Sequence, residues 1–151
     1  YVETLIMHSR NLPKIGFADE GLRHFDGIKY DELDTKLKGG VYGELGAIYY
    51  AKGELDMALE MTEENLNVCI EIQGIRGALV LLHKIGMIYQ DKGEYDEALI
   101  SYRQSLEIEE LFSSHSAIAS TMHNIGTIYE IKGEYDVAIE NFHESLKFFK
   151  K

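Results

Sequence analysis

The stretch Lys92-Gly93-Glu94-Tyr95-Asp96-Glu97-Ala98 occurs in three versions along the chain. It reads KGELDMA at residues 52–58, KGEYDEA at 92–98 and KGEYDVA at 132–138, so the copies are 40 residues apart. Glycine readily adopts the left-handed backbone that ends a helix, while Lys before it and acidic residues after it suit the dipoles of an ending and a beginning helix. Each copy therefore predicts a turn between two helices.

Small and apolar residues flank each turn at helical spacing. Upstream, an apolar residue is followed by Leu or Ile, Gly and Tyr at residues 42–49, 82–89 and 122–129. Downstream, Ala, then Thr, Tyr or Phe, and then Leu occur four residues apart at residues 58–66, 98–106 and 138–146. Residues with this spacing lie on one face of a helix. Each copy therefore predicts two antiparallel helices that pack through these faces.

The repeated pattern resembles the tetratricopeptide repeat (TPR), W-x2-L-G-x2-Y…A-x3-F…P. Tyr42, Leu82 and Met122 stand at the Trp position, and the final Pro is missing from every copy. The period is longer than the usual one of about 34 residues, which indicates longer helices. Long-period arrays of this kind resemble those of cell-polarity adaptors and of many bacterial and archaeal regulators. The resemblance implies an all-α, TPR-like solenoid of antiparallel helix pairs forming a right-handed superhelix.

We predict a single repeat array over residues 1–151, with a degenerate repeat at 1–33 and clear repeats at 34–73, 74–113 and 114–151. The clear repeats predict helices near 34–51, 54–72, 75–91, 94–111, 115–131 and 134–150. Asp34 and Ser114 are predicted N-caps. In residues 1–33 the apolar positions of the repeat survive but Pro13 replaces the turn glycine, so helices are expected near 1–12 and 16–29. A helical lead-in unrelated to the repeats is the alternative.

The amino-acid composition and net charge limit the kinds of partner that the chain is expected to bind. The chain has 151 residues, 45% of them hydrophobic, and a net charge of −11. No Lys/Arg cluster offers the basic face that nucleic acid needs, and an acidic membrane surface would repel the chain, so we predict no nucleic-acid and no membrane partner. Cys69 is the only cysteine and excludes an internal disulfide. No signal peptide or membrane-length apolar run is evident, and a cytoplasmic location is the default expectation.

Motifs for catalysis, cofactors or metals are missing from the sequence. It contains no P-loop, no dinucleotide-binding G-x-G-x-x-G, no G-x-S-x-G and no H-E-x-x-H. There is no His-x3-His or Cys pair for a metal. The recurring carboxylates fall at helix starts, and Tyr49, Tyr89 and Tyr129 occupy a repeated core position. We therefore predict a chain that is not an enzyme and has no cofactor.

The resemblance also implies a peptide- or partner-binding groove, because in TPR proteins the first helices of successive repeats line a concave surface. Four signature positions in each repeat supply most ligand contacts in that family. Carried onto this sequence, they are Gly40, Gly43, Ala47 and Tyr50, then Val80, His83, Met87 and Gln90, then Ser120, His123, Thr127 and Glu130.

Two further positions, Lys84 and Asn124, belong to the implied groove. A TPR subset grips the carboxyl terminus of chaperones with several basic and amide side chains, but among the matching positions here only Lys84 is basic, so we predict no chaperone-tail binding. Asn124 stands where the long-period adaptors carry an Asn that bonds the ligand backbone. His83 and His123 occupy equivalent positions and are either a ligand-facing, pH-sensitive pair or two semi-exposed polar groove residues.

The predicted function is a protein–protein interaction module, a scaffold or adaptor that holds a peptide or protein segment in this groove. A sensing or regulatory segment of a larger chain is one alternative, since the sequence begins without Met. A self-assembly element is another, because the last helix predicts an uncovered apolar face. For that face, truncation of a longer array is favoured over self-association.

Overall fold

The computed structural model describes residues 1–10, 18–112 and 114–149. In this part of the chain there are eight α-helices and one 3-10 helix, Tyr30–Glu32, and no β-strand. The α-helices are α1 Val2–Arg10, α2 Ala18–Arg23, α3 Thr35–Lys52, α4 Leu55–Glu71, α5 Ile75–Lys92, α6 Tyr95–Leu111, α7 His115–Ile131 and α8 Tyr135–Phe149. The chain divides into two compact units, Tyr1–Leu81 and Leu82–Lys151. None of the described helices is long and apolar enough to cross a bilayer.

The predicted turn is present in all three repeats. Gly53, Gly93 and Gly133 adopt left-handed φ values of 77°, 79° and 79°. At the second turn the N–H of Gly93 donates to the carbonyl of Gln90 at 3.0 Å, and the next N–H donates to Tyr89 at 2.9 Å. The same pair of bonds closes the other two turns. These bonds satisfy carbonyls at the helix end that have no partner within the helix.

Two helices can pack closely in each repeat because the signature glycine has no side chain. A Cβ atom added at Gly86 would lie 2.7 Å from the ring of Tyr102, and one at Gly126 would lie 2.7 Å from the ring of Phe142. Real side chains do not approach so closely, so any larger residue would force the helix backbones apart. This is the physical reason that the motif requires Gly there.

Each unit has its own core. In unit Tyr1–Leu81 the buried apolar cluster consists of Ile6, Phe25, Val41 and Leu45. It joins α1 and α3 to the segment that follows α2. In unit Leu82–Lys151 the cluster joins α6 and α7 and consists of Ala98, Leu99, Tyr102, Ile125 and Ile128. The repeated Ala positions 58, 98 and 138 are all buried, as the repeat pattern predicts.

The observed bounds of α3 to α8 fall within one residue of the predicted ones. The first 33 residues differ more. Helix α2 ends at Arg23 rather than near residue 29, because Gly27 adopts a left-handed φ of 77° and the intervening N–H groups bond three residues back, as in Phe25 N–H to Leu22 at 2.9 Å. Pro13 and the predicted end of the first helix lie outside the described residues.

The two predicted N-caps behave differently. The side chain of Asp34 accepts a hydrogen bond from the Leu37 N–H at 2.9 Å, which confirms it as the cap of α3. Ser114 occupies the N-cap position of α7, but its side chain makes no capping bond within the described part of the chain.

Candidate partner-binding surface

Nine of the predicted binding residues lie in unit Leu82–Lys151, on α5 and α7. We call this set the α5–α7 surface. It consists of His83, Lys84, Met87 and Gln90 on α5 and of Ser120, His123, Asn124, Thr127 and Glu130 on α7.

The other five predicted residues, Gly40, Gly43, Ala47, Tyr50 and Val80, belong to unit Tyr1–Leu81. Tyr50 and Val80 are exposed, and Ala47 is half-buried. At Gly43 an added Cβ would lie 3.0 Å from the amide nitrogen of Asn65 on α4, so this glycine serves close helix packing. Ligand binding by these five residues stays a prediction.

Helices α5 and α7 meet at the imidazole of His83. Its Nδ1 lies 3.1 Å from the hydroxyl oxygen of Thr121, and its Nε2 lies 3.3 Å from the amide nitrogen of Asn124. The ring also packs against the ring of Tyr102 on α6, with the centroids 5.3 Å apart. The structure thus brings together two predicted residues, His83 and Asn124, and adds Thr121, which the sequence reasoning missed.

The donor and acceptor in each of these hydrogen bonds can be assigned because Thr121 is also bonded to a buried acid, Glu109. The Thr121 hydroxyl donates to Oε1 of Glu109 at 2.8 Å. A hydroxyl has one proton, so towards His83 the Thr121 oxygen accepts and Nδ1 of the imidazole carries the proton. In the neutral imidazole Nε2 then accepts from Asn124 Nδ2. This assignment turns the carbonyl oxygen of the Asn124 amide away from His83.

Glu109 anchors the network from the interior. Its side chain is only 2% exposed, and Oε1 also accepts from the Ser105 hydroxyl at 3.0 Å. Its other oxygen, Oε2, has no hydrogen-bond partner within the described residues. Burying a polar oxygen without a partner opposes folding by roughly 1–3 kcal/mol. An acidic side chain in such a place therefore needs an explanation beyond packing.

The repeat register contains a signal that could have identified this network. Stepping by 40 residues, the position of Glu109 is held by Cys69 in the repeat before and by Phe149 in the repeat after. The position of Thr121 is held by Val41 and Leu81. Polar residues replace apolar ones at two core positions, and the structure places them in contact.

Burial sets the charge state of His83. Removal of the imidazole from water lowers the pKa of His83 below its ordinary value, and the nearby Glu109 carboxyl opposes this shift more weakly. The neutral form, which the hydrogen-bond pattern requires, is therefore the one present at neutral pH.

The two predicted histidines have unequal surroundings. His83 is half-buried and held on both ring nitrogens, whereas His123 is exposed and rests on the ring of Phe142, with the centroids 5.2 Å apart. The surface around the two histidines combines apolar, charged and amide side chains. Met87 is 38% exposed and apolar, Lys84 and Glu130 are exposed and charged, and the Oε1 of Gln90 accepts a bond from the buried Tyr102 hydroxyl at 3.0 Å.

The surface can bind by hydrogen bonding and by apolar contact. It offers two hydrogen-bonded amides, Asn124 and Gln90, one flexible thioether and one exposed imidazole. Within the described residues no group of three or more His, Cys, Asp or Glu side chains is placed to hold a metal ion.

The sequence profile of the tetratricopeptide repeat family matches residues 39–110 and, in a second register, residues 77–151. No curated protein matches the chain.

Several solved structures share the fold. Two crystal structures of MamA match 99% of this chain, one at 24% identity and a TM-score of 0.76 and the other at 22% and 0.73, and the matches cover 74% and 78% of those chains. The crystal structure of BtubC (BKLC) from P. vanneervenii matches 87% of this chain at 21% identity and a TM-score of 0.68. The match spans only 52% of that longer chain.

Proposed function

Because the chain belongs to the tetratricopeptide repeat family, whose fold serves in general as a protein–protein interaction scaffold, we propose that its α5–α7 surface binds a segment of a partner protein. The observation that supports this proposal is a chain of hydrogen bonds that orients the Asn124 amide. The amide is bonded to His83, His83 to Thr121, and Thr121 to the buried Glu109. An amide whose orientation is fixed before binding loses little conformational entropy when a ligand arrives.

A polypeptide is the ligand that suits this chemistry. The outward side of the Asn124 amide can pair with a backbone N–H, which a peptide ligand presents at every residue except proline. Met87 is unbranched and polarisable, so it adapts to apolar side chains of different shapes. His123 adds an exposed polar ring. An extended or helical segment of a partner fits a surface built from two neighbouring helices.

The proposed role is that of a scaffold or adaptor without catalysis. Three polar side chains of the surface are held in place: His83 binds Thr121 and Asn124, and Gln90 binds Tyr102. Such bonds favour a fixed shape for recognition.

The experiment compares three forms of the chain in affinity capture from the lysate of the source organism. The surface variant carries Met87→Glu and His123→Glu. The matched control carries Ile100→Glu and Gln104→Glu, which add the same two carboxylates on the exposed face of α6. Circular dichroism and thermal unfolding establish that all three are equally folded.

We expect a partner that is captured by the wild type and the control and lost from the surface variant. Loss from the control, with retention by the surface variant, would contradict the proposal and would move the binding site to α6.

Self-association is a second candidate function, favoured by one face of α8. Four large apolar side chains recur along it and are all more than half exposed: Tyr135, Ile139, Leu146 and Phe149. The corresponding α6 residues Tyr95, Leu99 and Leu106 pack into the core formed with α7. A second copy of the chain could cover the α8 face in the same way.

Sedimentation velocity at increasing protein concentration tests this candidate. Growth in size that Leu146→Glu abolishes, and that Ile100→Glu leaves unchanged, would support self-association. A constant monomer at every concentration would exclude it.

A further inference from the structure

An open cleft of about 570 Å³ lies in unit Tyr1–Leu81, between the segment after α2 and the helices α3 and α4. It has the size of a small-ligand site, about 300–1,000 Å³. Its lining is unusual in composition: four aromatic rings, two methionines and three carboxylates. Two leucines complete the lining.

Aromatic rings form the body of the cleft. Tyr30 and Tyr42 are stacked, with the centroids 5.9 Å apart and the planes 12° from parallel. Tyr49 is half-buried beside them, and Phe25 is almost fully buried in the core beneath. Faces of aromatic rings carry negative electrostatic potential, which attracts cations within about 6 Å.

Charge in the cleft has one sign. Asp26, Glu60 and Glu64 are exposed at its rim, and its described lining includes no Lys, Arg or His. Burial raises the pKa of Tyr30 above its ordinary value, and Tyr49, Tyr42 and Asp26 raise it further. A positively charged ligand would relieve this concentration of negative potential, whereas an anion would be repelled.

The repeat pattern does not require this arrangement. At the Tyr42 position the other repeats have Leu82 and Met122, so an aliphatic side chain is sufficient for packing there. Phe25 and Tyr30 come from residues outside the three clear repeats. The convergence of these rings with three carboxylates therefore calls for an explanation by binding.

We propose that this cleft binds an organic cation, namely the guanidinium or alkylated ammonium group of a side chain on a partner polypeptide. The rings of Tyr30, Tyr42 and Tyr49 supply cation–π attraction, and the rim carboxylates supply charge pairing. Met57 and Met61 contact the aliphatic stem of the side chain. The site lies in a different unit from the α5–α7 surface, and the proposal stands independently of it.

The methionines provide the test. The chain has five, Met7, Met57, Met61, Met87 and Met122, and only Met57 and Met61 line the cleft. With ¹³C-labelled methionine methyl groups, NMR spectra are recorded during titration with N-acetyl-arginine amide and N-acetyl-trimethyllysine amide at millimolar concentrations. N-acetyl-norleucine amide is the neutral control. Choline is the second control, because it carries a quaternary ammonium group that is not part of an amino acid.

We expect saturable shifts of the Met57 and Met61 signals with the two cationic amino acids, and none at Met87 or Met122. Tyr42→Leu, which installs the residue found in the next repeat, should weaken the affinity about two- to fivefold. Glu60→Gln with Glu64→Gln should weaken it and reduce its dependence on salt. The charge-matched control, Glu97→Gln with Glu107→Gln on the exposed face of α6, should leave it unchanged.

Three results would overturn the proposal. Equal shifts with norleucine amide would show a merely apolar cleft. If the cleft bound choline but neither N-acetyl-arginine amide nor N-acetyl-trimethyllysine amide, a polypeptide side chain would be ruled out as its ligand. Signals of Met57 and Met61 that move with none of the probes would show that the cleft is not a cation site.

Discussion

Substitution of Gly86 by Ala tests why the signature glycine is needed. The added Cβ would lie 2.7 Å from two ring carbons of Tyr102, which is fully buried and whose hydroxyl is bonded to Gln90 at 3.0 Å. The ring therefore has no direction in which to retreat. Such overpacking destabilises by about 1–3 kcal/mol, while the gain in helix propensity is about 1 kcal/mol. The net expectation is a loss of up to about 2 kcal/mol.

Gly46→Ala is the matched control, since Gly46 has the same place in the preceding repeat. An added Cβ there would have its closest contact at 3.1 Å, with the Thr62 hydroxyl oxygen rather than with a ring. The propensity gain is the same, so Gly46→Ala should be the more stable of the two variants by about 1–2 kcal/mol.

Hydrogen exchange followed by mass spectrometry is the appropriate assay, because it reports the free energy of opening separately for α3–α4 and for α5–α6. Urea unfolding of each variant gives the stability of the whole chain. Stabilisation of α5–α6 by Gly86→Ala, or equal stabilities of Gly86→Ala and Gly46→Ala within error, would show that the Tyr102 ring does not exclude a side chain at position 86.

Three further predictions address the turn, the buried imidazole and the cysteine. Gly93→Ala should lose about 1–2 kcal/mol in urea unfolding because of the left-handed φ of 79°, and Gly93→Asn should lose less; equal losses would contradict a backbone origin. Since the pKa of His83 is lowered from its ordinary 6.5, the unfolded chain binds more protons, and stability should fall as the pH drops below about 6.5. His83→Gln should flatten this part of the stability profile, and an unchanged slope would refute the assignment. Burial raises the pKa of Cys69, so iodoacetamide should label it more slowly in the native chain than in urea, and equal rates would show an accessible thiol.

The repeated residues made most of the fold predictable. The turn glycines, the signature glycines and the buried alanines recur at fixed positions, so each copy supports the interpretation of the others. Where the chain does not repeat, prediction was weaker. The end of α2 at Arg23 depends on Gly27 and on the insertion of Phe25 into a core formed with α1 and α3. Such contacts join distant parts of the sequence, and no local pattern encodes them.

The candidate sites were also predictable only in part. The family pattern predicted His83 and Asn124 as surface residues but gave no indication that a buried carboxyl group holds them. Glu109 could have been noticed as an acid at an apolar repeat position, although its contact with Thr121 depends on the packing of α6 on α7. The aromatic cleft combines residues from three segments, and only one of its rings, Tyr49, belongs to the repeated Tyr position.

If a partner segment lies on the α5–α7 surface, a photoreactive side chain placed on that surface will crosslink to it. The photoreactive residue p-benzoylphenylalanine replaces Met87, His123 or, as the control, Ile100, and each chain is irradiated with the partner bound. We expect covalent adducts with the partner from positions 87 and 123 and none from position 100. Adducts from position 100 alone, with none from the other two, would contradict it.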